Sequence, residues 1–100
     1  MKAFAYVNAT DEQEAVAALG TERGRFLPLG GGTDVLGLMK DYVLQPDRLV
    51  NVKSLDGSIS MTAAGGVRIG AAARIVDVIE HADVARLYPA LVQAALEVGT

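Results

Sequence analysis

Leu29-Gly30-Gly31-Gly32-Thr33-Asp34 joins an apolar run, Phe26 to Leu29, to a helix-like run, Val35 to Lys40. Three successive glycines carry no β-carbons, so the backbone there can turn sharply and let a ligand approach closely. If the run that follows is a helix, its first N–H groups lack intrahelical partners and face the loop. Those donors, with the positive end of the helix dipole, suit an anion such as a pyrophosphate. The Thr33 hydroxyl adds a further donor. Asp34 acts the other way, because a carboxylate facing a phosphate repels it. Its expected role is to turn sideways and cap the helix. The competing reading of these residues is an ordinary glycine turn between a strand and a helix.

Two familiar phosphate loops do not fit. A dinucleotide fingerprint needs G-x-G-x-x-G/A, and counting from Gly30 and Gly32 the last position is Val35. A P-loop needs G-x-x-x-x-G-K-[ST]; Gly32 and Gly37 have that spacing, but Leu38 and Met39 follow. Neither a nicotinamide dinucleotide nor a nucleoside triphosphate is therefore expected here in those modes.

The chain around this loop has 100 residues, enough for one small domain or part of a larger one. It is 51% hydrophobic with a mean hydropathy of +0.30, which is apolar for so short a chain. Small domains leave much of their surface exposed, so this excess implies faces covered by other chains or by further sequence. A net charge of -3 gives no basic footprint and argues against nucleic acid as a partner. With no cysteine, disulfides and thiolate chemistry are excluded. No signal-peptide pattern opens the chain and no apolar run approaches the ~20 residues of a membrane span. A cytoplasmic location is expected.

Ala3 to Val7 reads as a strand. Thr10-Asp11-Glu12-Gln13 reads as a capping box, with Thr10 at the N-cap and Gln13 reaching back. Ala15, Val16, Ala18 and Leu19 form the apolar face of the helix that Gly20 ends. Arg25 to Leu29 is the strand entering the glycine loop, and Pro28 argues against a fully paired central position for its end. Val35 to Tyr42 follows as a helix, then Arg48 to Val52 as a strand. Asp56-Gly57 and Gly65-Gly66 are turn signals around a β-hairpin that ends in Val67-Arg68-Ile69-Gly70. Helices are expected over Ile75 to Glu80 and Pro89 to Glu97. His81, with no partner motif, reads as an exposed residue between helices, and Tyr6, Tyr42 and Tyr88 as packing residues. The pattern gives an α+β (α/β-like) fold with a mixed sheet, whose first half is a βαβ-like unit carrying the glycine loop at the carboxyl end of a strand. Sheets of that kind bind ligands there.

Leu29-Gly30-Gly31-Gly32-Thr33-Asp34-Val35-Leu36, Leu38-Met39-Lys40 and Pro46-Asp47-Arg48-Leu49-Val50-Asn51-Val52 resemble the FAD-binding medium subunit of molybdenum hydroxylases. That family includes xanthine dehydrogenases, aldehyde oxidoreductases and carbon monoxide dehydrogenases. Met1 to Tyr6 and Arg68-Ile69-Gly70-Ala71-Ala72 also fit, so the resemblance runs along essentially the whole chain. It implies that residues 1–100 are the N-terminal lobe of a flavin-binding domain, incomplete at the C-terminus. Family members are nearly three times longer, with a second loop that forms the opposite wall of the pyrophosphate site.

The resemblance further implies that Leu29, Gly30, Gly31, Gly32, Thr33, Asp34 and Val35 wrap the FAD pyrophosphate. It places Ile69, Gly70 and Ala71 near the flavin. Many relatives carry a threonine pair shortly after, where this chain has Ala72-Ala73-Arg74, so a hydroxyl contact is not expected there. The implied function is an FAD-dependent electron-transfer subunit of an oxidoreductase acting on aldehydes or N-heterocycles. Electrons pass from molybdenum through iron–sulfur clusters to FAD and on to an acceptor. The molybdenum cofactor and the clusters reside on partner chains, a large and a small subunit, and no metal is held here. Lys2-Ala3-Phe4 and Leu38-Met39-Lys40 tilt the reading toward an aldehyde-oxidoreductase-like member. No side chain reads as a catalytic acid, base or nucleophile, and the 100 residues alone are expected to be inactive. The alternative is a truncated, non-catalytic assembly or interaction module without FAD.

Overall fold

Leu49 and Val50 are neighbours in sequence, and both are almost completely buried, at 1% and 0% exposure. Successive side chains of a strand point to opposite faces, so the strand that carries them, β3 (Arg48–Asn51), must be covered on both sides. The computed structural model, which describes residues 1–98, meets that requirement with a three-stranded sheet in which β3 is the central strand. Its neighbours are β1 (Ala5–Asn8) and β2 (Phe26–Leu29), both parallel to it. Pro28 lies on an edge strand, where its missing N–H breaks no ladder.

The two connections supply the cover. On one face, α1 (Glu12–Leu19) brings Ala15 against Val50 and Ala9, with Ala18, Leu19, Val52 and Leu55 around them. On the other, α2 (Val35–Lys40) brings Met39 against Leu49 and Leu29, with Leu27, Val35 and Leu44 around them. A chain that steps from β1 to the far edge and back to the middle reverses direction across the sheet. Right-handed crossovers then put its two helices on opposite faces.

Several local expectations shift. The N-cap of α1 is Asp11, not Thr10: an Asp11 carboxylate oxygen accepts the Glu14 N–H at 2.7 Å. Glu14, not Gln13, reaches back, accepting from the Thr10 N–H at 3.1 Å and the Thr10 hydroxyl at 2.6 Å. A carboxylate is a stronger acceptor than a hydroxyl, which moves the box by one residue. Val16 is 71% exposed, because the seam of so short a helix is filled by Ala15, Ala18 and Leu19. The second helix ends at Lys40, and Tyr42 follows in a left-handed conformation (φ 57°) with the Val43 N–H closing back on the Leu38 carbonyl.

The other unit, from Asp56 on, has β4 (Ile59–Met61) and β5 (Val67–Ile69) as an antiparallel hairpin. The Thr62 hydroxyl accepts the Gly66 N–H, and Gly65 sits at φ +87° in its turn. Parallel and antiparallel pairings therefore occur in two separate sheets. Three short helices follow: α3 (Ile75–Glu80), α4 (Ala82–Leu87) and α5 (Pro89–Ala95). The helix over Ala82–Leu87 has no counterpart in the sequence reading, since Ala-Asp-Val-Ala-Arg-Leu offers only Val84 as a fully buried anchor. His81, at the α3–α4 junction, is half-buried rather than exposed, and its Nδ1 is buried without a hydrogen bond. The three tyrosines are all largely exposed, Tyr6 at 49%, Tyr42 at 56% and Tyr88 at 44%, so none is a core residue.

Candidate functional site

Parallel strands in register end together. Asn8, Asn51 and Leu29 are partners across the sheet, so the segments after β1, β2 and β3 emerge along one edge. The opposite, amino-terminal edge is tied up by its own charges. There Asp47 accepts from Lys2 at 2.6 Å and from Arg25 at 2.9 Å, and these two bonds hold its carboxyl below the usual range. Arg25 also pairs with Glu22 at 3.0 Å, and Arg25 and Arg48 both lie over the Phe26 ring. Those ion pairs tie the edge together.

The carboxyl edge is open. Leu29 is buried and anchors the loop to the core, while Gly30 and Gly31 are exposed. A β-carbon on Gly30 or Gly31 would meet nothing within 4 Å, so bare backbone there faces free space. Gly32 is a different case. It adopts φ +83°, and a β-carbon would lie 2.9 Å from Leu36 Cδ1. Only glycine fits without strain at that point. The Gly32 carbonyl accepts the Leu36 N–H at 3.1 Å, which starts the helical turn before Val35. Among the described residues, no hydrogen bond uses the N–H of Gly31, Gly32, Thr33 or Asp34.

Asp34 does not cap the helix as expected. Its backbone is already helical (φ -89°, ψ -46°), and its side chain makes no capping bond. Because the first helical carbonyl belongs to Gly32, Asp34 sits inside the first turn, past the position from which a side chain can fold back onto N–H groups. Thr33 is exposed beside it, and Val35 packs inward on the Leu29, Met39 and Leu49 cluster.

Two further features lie at this edge. Asn51 Nδ2 donates to Asn8 Oδ1 at 2.8 Å, and Asn51 Oδ1 accepts the Lys53 N–H at 3.0 Å. Lys53 Nζ donates to the Gly30 carbonyl at 3.3 Å. Nothing in the sequence marks Lys53. Its place beside the loop follows from the Leu29–Asn51 pairing and the Val52 N–H bond to the Leu29 carbonyl at 3.0 Å.

Ile69, Gly70 and Ala71 belong to the second unit, at the end of β5. Ile69 and Ala71 are exposed and Gly70 is buried. The Gly70 N–H donates to the Ser58 carbonyl at 2.8 Å. Asp56 braces the same corner: its carboxylate accepts from the Ser58 hydroxyl at 2.6 Å, Arg68 at 2.9 Å and the Ser58 N–H at 2.9 Å. The Ser58 hydroxyl, then Arg68, then the Ser58 N–H hold the Asp56 carboxyl well below the ordinary carboxylate range. No group of three or more His, Cys, Asp or Glu side chains among the described residues is placed to hold a metal ion.

The model of the family described as FAD binding domain in molybdopterin dehydrogenase matches residues 2–100. The chain belongs to this family. It is 39% identical over 98 residues to the aldehyde oxidoreductase FAD-binding subunit PaoB of Escherichia coli, covering 96% of this chain and 30% of that subunit. It is 33% identical over 98 residues to the glyceraldehyde dehydrogenase medium chain of Sulfolobus acidocaldarius, covering 96% of this chain and 34% of that one. Among solved structures, the carbon monoxide dehydrogenase of Hydrogenophaga pseudoflava matches with a TM-score of 0.80 and 31% identity, over 92% of this chain and 32% of that chain. The chain thus spans about a third of the length of the family members it matches.

Proposed function

We propose that the chain is the N-terminal lobe of the FAD-binding, electron-transferring subunit of a molybdenum-containing hydroxylase or dehydrogenase, and that Leu29 to Val35 hold the diphosphate of FAD. The observation that carries this reading is the exposed backbone at Gly30 and Gly31, where a β-carbon would meet nothing within 4 Å, at the carboxyl edge of a parallel sheet in a chain of an FAD-binding family. A β-carbon at either glycine would occupy the space a diphosphate needs. The free N–H groups from Gly31 to Asp34 match the acceptor oxygens of such a group.

FAD supplies the redox chemistry when bound. The work left to this chain is to bind, orient and shield it. Leu29 and Val35 fix the two ends of the loop to the core, and Gly32 sets its turn. Ile69 and Ala71 are proposed as flavin neighbours through exposed surface, and Gly70 through its backbone. Iron–sulfur clusters are proposed to sit on a small partner subunit, and the molybdenum cofactor on a large one. An aldehyde is the proposed substrate of the assembly, in keeping with the two relatives whose names specify one. A cytoplasmic setting is part of the same proposal, to be checked by fractionation.

The test is to purify the subunit with its partner chains, extract the flavin and identify it. FAD in near-stoichiometric amount is expected. Assembly without flavin would overturn the reading and favour an FAD-free assembly module.

A further inference from the structure

We infer that Lys53 is a diphosphate-binding residue of this site, an inference that rests on the FAD reading and adds to it a side chain outside the glycine loop. The loop itself, Leu29 to Val35, carries a single formal charge, the negative one of Asp34. A diphosphate brings about two more negative charges at neutral pH, and backbone N–H groups offer only partial positive charge against them. A cation beside the loop would offset that charge. Lys53 is hydrogen-bonded to the loop itself, through Nζ and the Gly30 carbonyl at 3.3 Å.

Its position is built rather than incidental. The Lys53 N–H is fixed by Asn51 Oδ1 at 3.0 Å, Asn51 is held by Asn8 at 2.8 Å, and the preceding Val52 N–H is bound to the Leu29 carbonyl. Among the described residues, no carboxylate lies within ion-pairing distance of its ammonium group, whereas Lys2, Arg25, Arg68, Arg74 and Arg86 are each paired with an acid. An ammonium has three donors, and Gly30 takes one. Charge and donors thus remain for an anion lying over Gly30 and Gly31.

The flavin-free subunit in its assembly with the partner chains, titrated with FAD over a range of salt concentrations, tests this in three forms: unaltered, Lys53→Met and Lys53→Arg. Methionine keeps the stem and removes the charge; arginine keeps the charge. Lys53→Met is expected to weaken FAD binding about tenfold at low salt, the scale of one hydrogen bond to a charged group, and to flatten the salt dependence. Lys53→Arg is expected to restore most of both. Unchanged affinity in Lys53→Met overturns the inference. So does a loss equal at every salt concentration and matched by lower stability of the flavin-free protein, which would mean that Lys53 only braces Gly30. Failure of the unaltered protein to bind FAD at any salt concentration would instead overturn the site reading on which the inference rests.

Discussion

The carbonyl oxygen of Asp56 occupies the place where a β-carbon on Gly70 would be. The same corner is closed from the other side, where a β-carbon on Gly57 would lie 3.1 Å from the Ala72 carbonyl oxygen. Two backbone segments thus pack face to face at the end of β5, held by the Ala72 N–H bond to the Asp56 carbonyl at 3.0 Å. A backbone oxygen cannot rotate away as a side chain can. Gly70→Ala is therefore expected to destabilise by roughly 1–3 kcal/mol, the usual cost of overpacking. Chemical denaturation of the two forms reads this directly, and an unmoved midpoint would contradict it.

Gly31 and Gly32 adjoin in the loop but differ in what they permit. Gly31→Val adds a side chain to open space, so stability without flavin is expected to hold while FAD content falls. Gly32→Val meets φ +83° and the Leu36 side chain, so stability is expected to fall by about 1 kcal/mol or more even before FAD is added. Thermal unfolding of the flavin-free proteins, set beside flavin content, separates the two effects. Equal flavin content in Gly31→Val and unaltered protein would count against the diphosphate site.

The contrast between Asp11 and Asp34 gives a third expectation. Asp11 caps α1 through its carboxylate, and Asp11→Ala is expected to cost about 1 kcal/mol. Asp34 makes no such bond, so Asp34→Ala is expected to stay within roughly 0.5 kcal/mol. Asp34→Asn removes a negative charge beside the proposed diphosphate, so FAD retention should be equal or better. Loss of flavin in a folded Asp34→Asn protein would show that the carboxylate itself touches the cofactor.

Asp56 makes the second unit sensitive to acid. Ser58 and Arg68 hold its carboxyl below the value of about 4 expected for the unfolded chain. Between the two values the unfolded chain binds a proton that the folded chain does not, so stability rises with pH across that interval. The contribution is complete above the unfolded value and fades as pH falls toward the folded one. Asp56→Asn is expected to be less stable than the unaltered protein at neutral pH, with the gap narrowing from about pH 5 to about pH 2. Denaturation midpoints over that series check it; a gap that stays constant would show that the carboxylate charge is not the cause.

Much of this was written locally. The strand at Phe26–Leu29, the glycine turn, the helix from Val35 and the strand at Arg48–Asn51 follow from apolar runs interrupted by glycine and proline. These are properties of neighbouring residues, and the edge placement of Pro28 could be read from its missing N–H alone. Sequence also fixed the family, because the Gly-Gly-Gly-Thr-Asp segment and the residues around it are specific enough to carry the resemblance that the match over residues 2–100 bears out.

Tertiary structure decided what depends on residues far apart in the chain. That Leu49 and Val50 serve two different cores is set by which helix covers which face. That Gly70 must be glycine depends on Asp56, fourteen positions earlier (70 − 56), whose carbonyl fills the space. Lys53 reaches the glycine loop only because β2 and β3 end in register, which no composition or periodicity within either strand encodes. Turn chemistry and periodicity act over a few residues and survive in the sequence as patterns. Strand partnership and the side of the sheet that a helix covers are settled by burial of the whole unit, and they become visible only once it has folded.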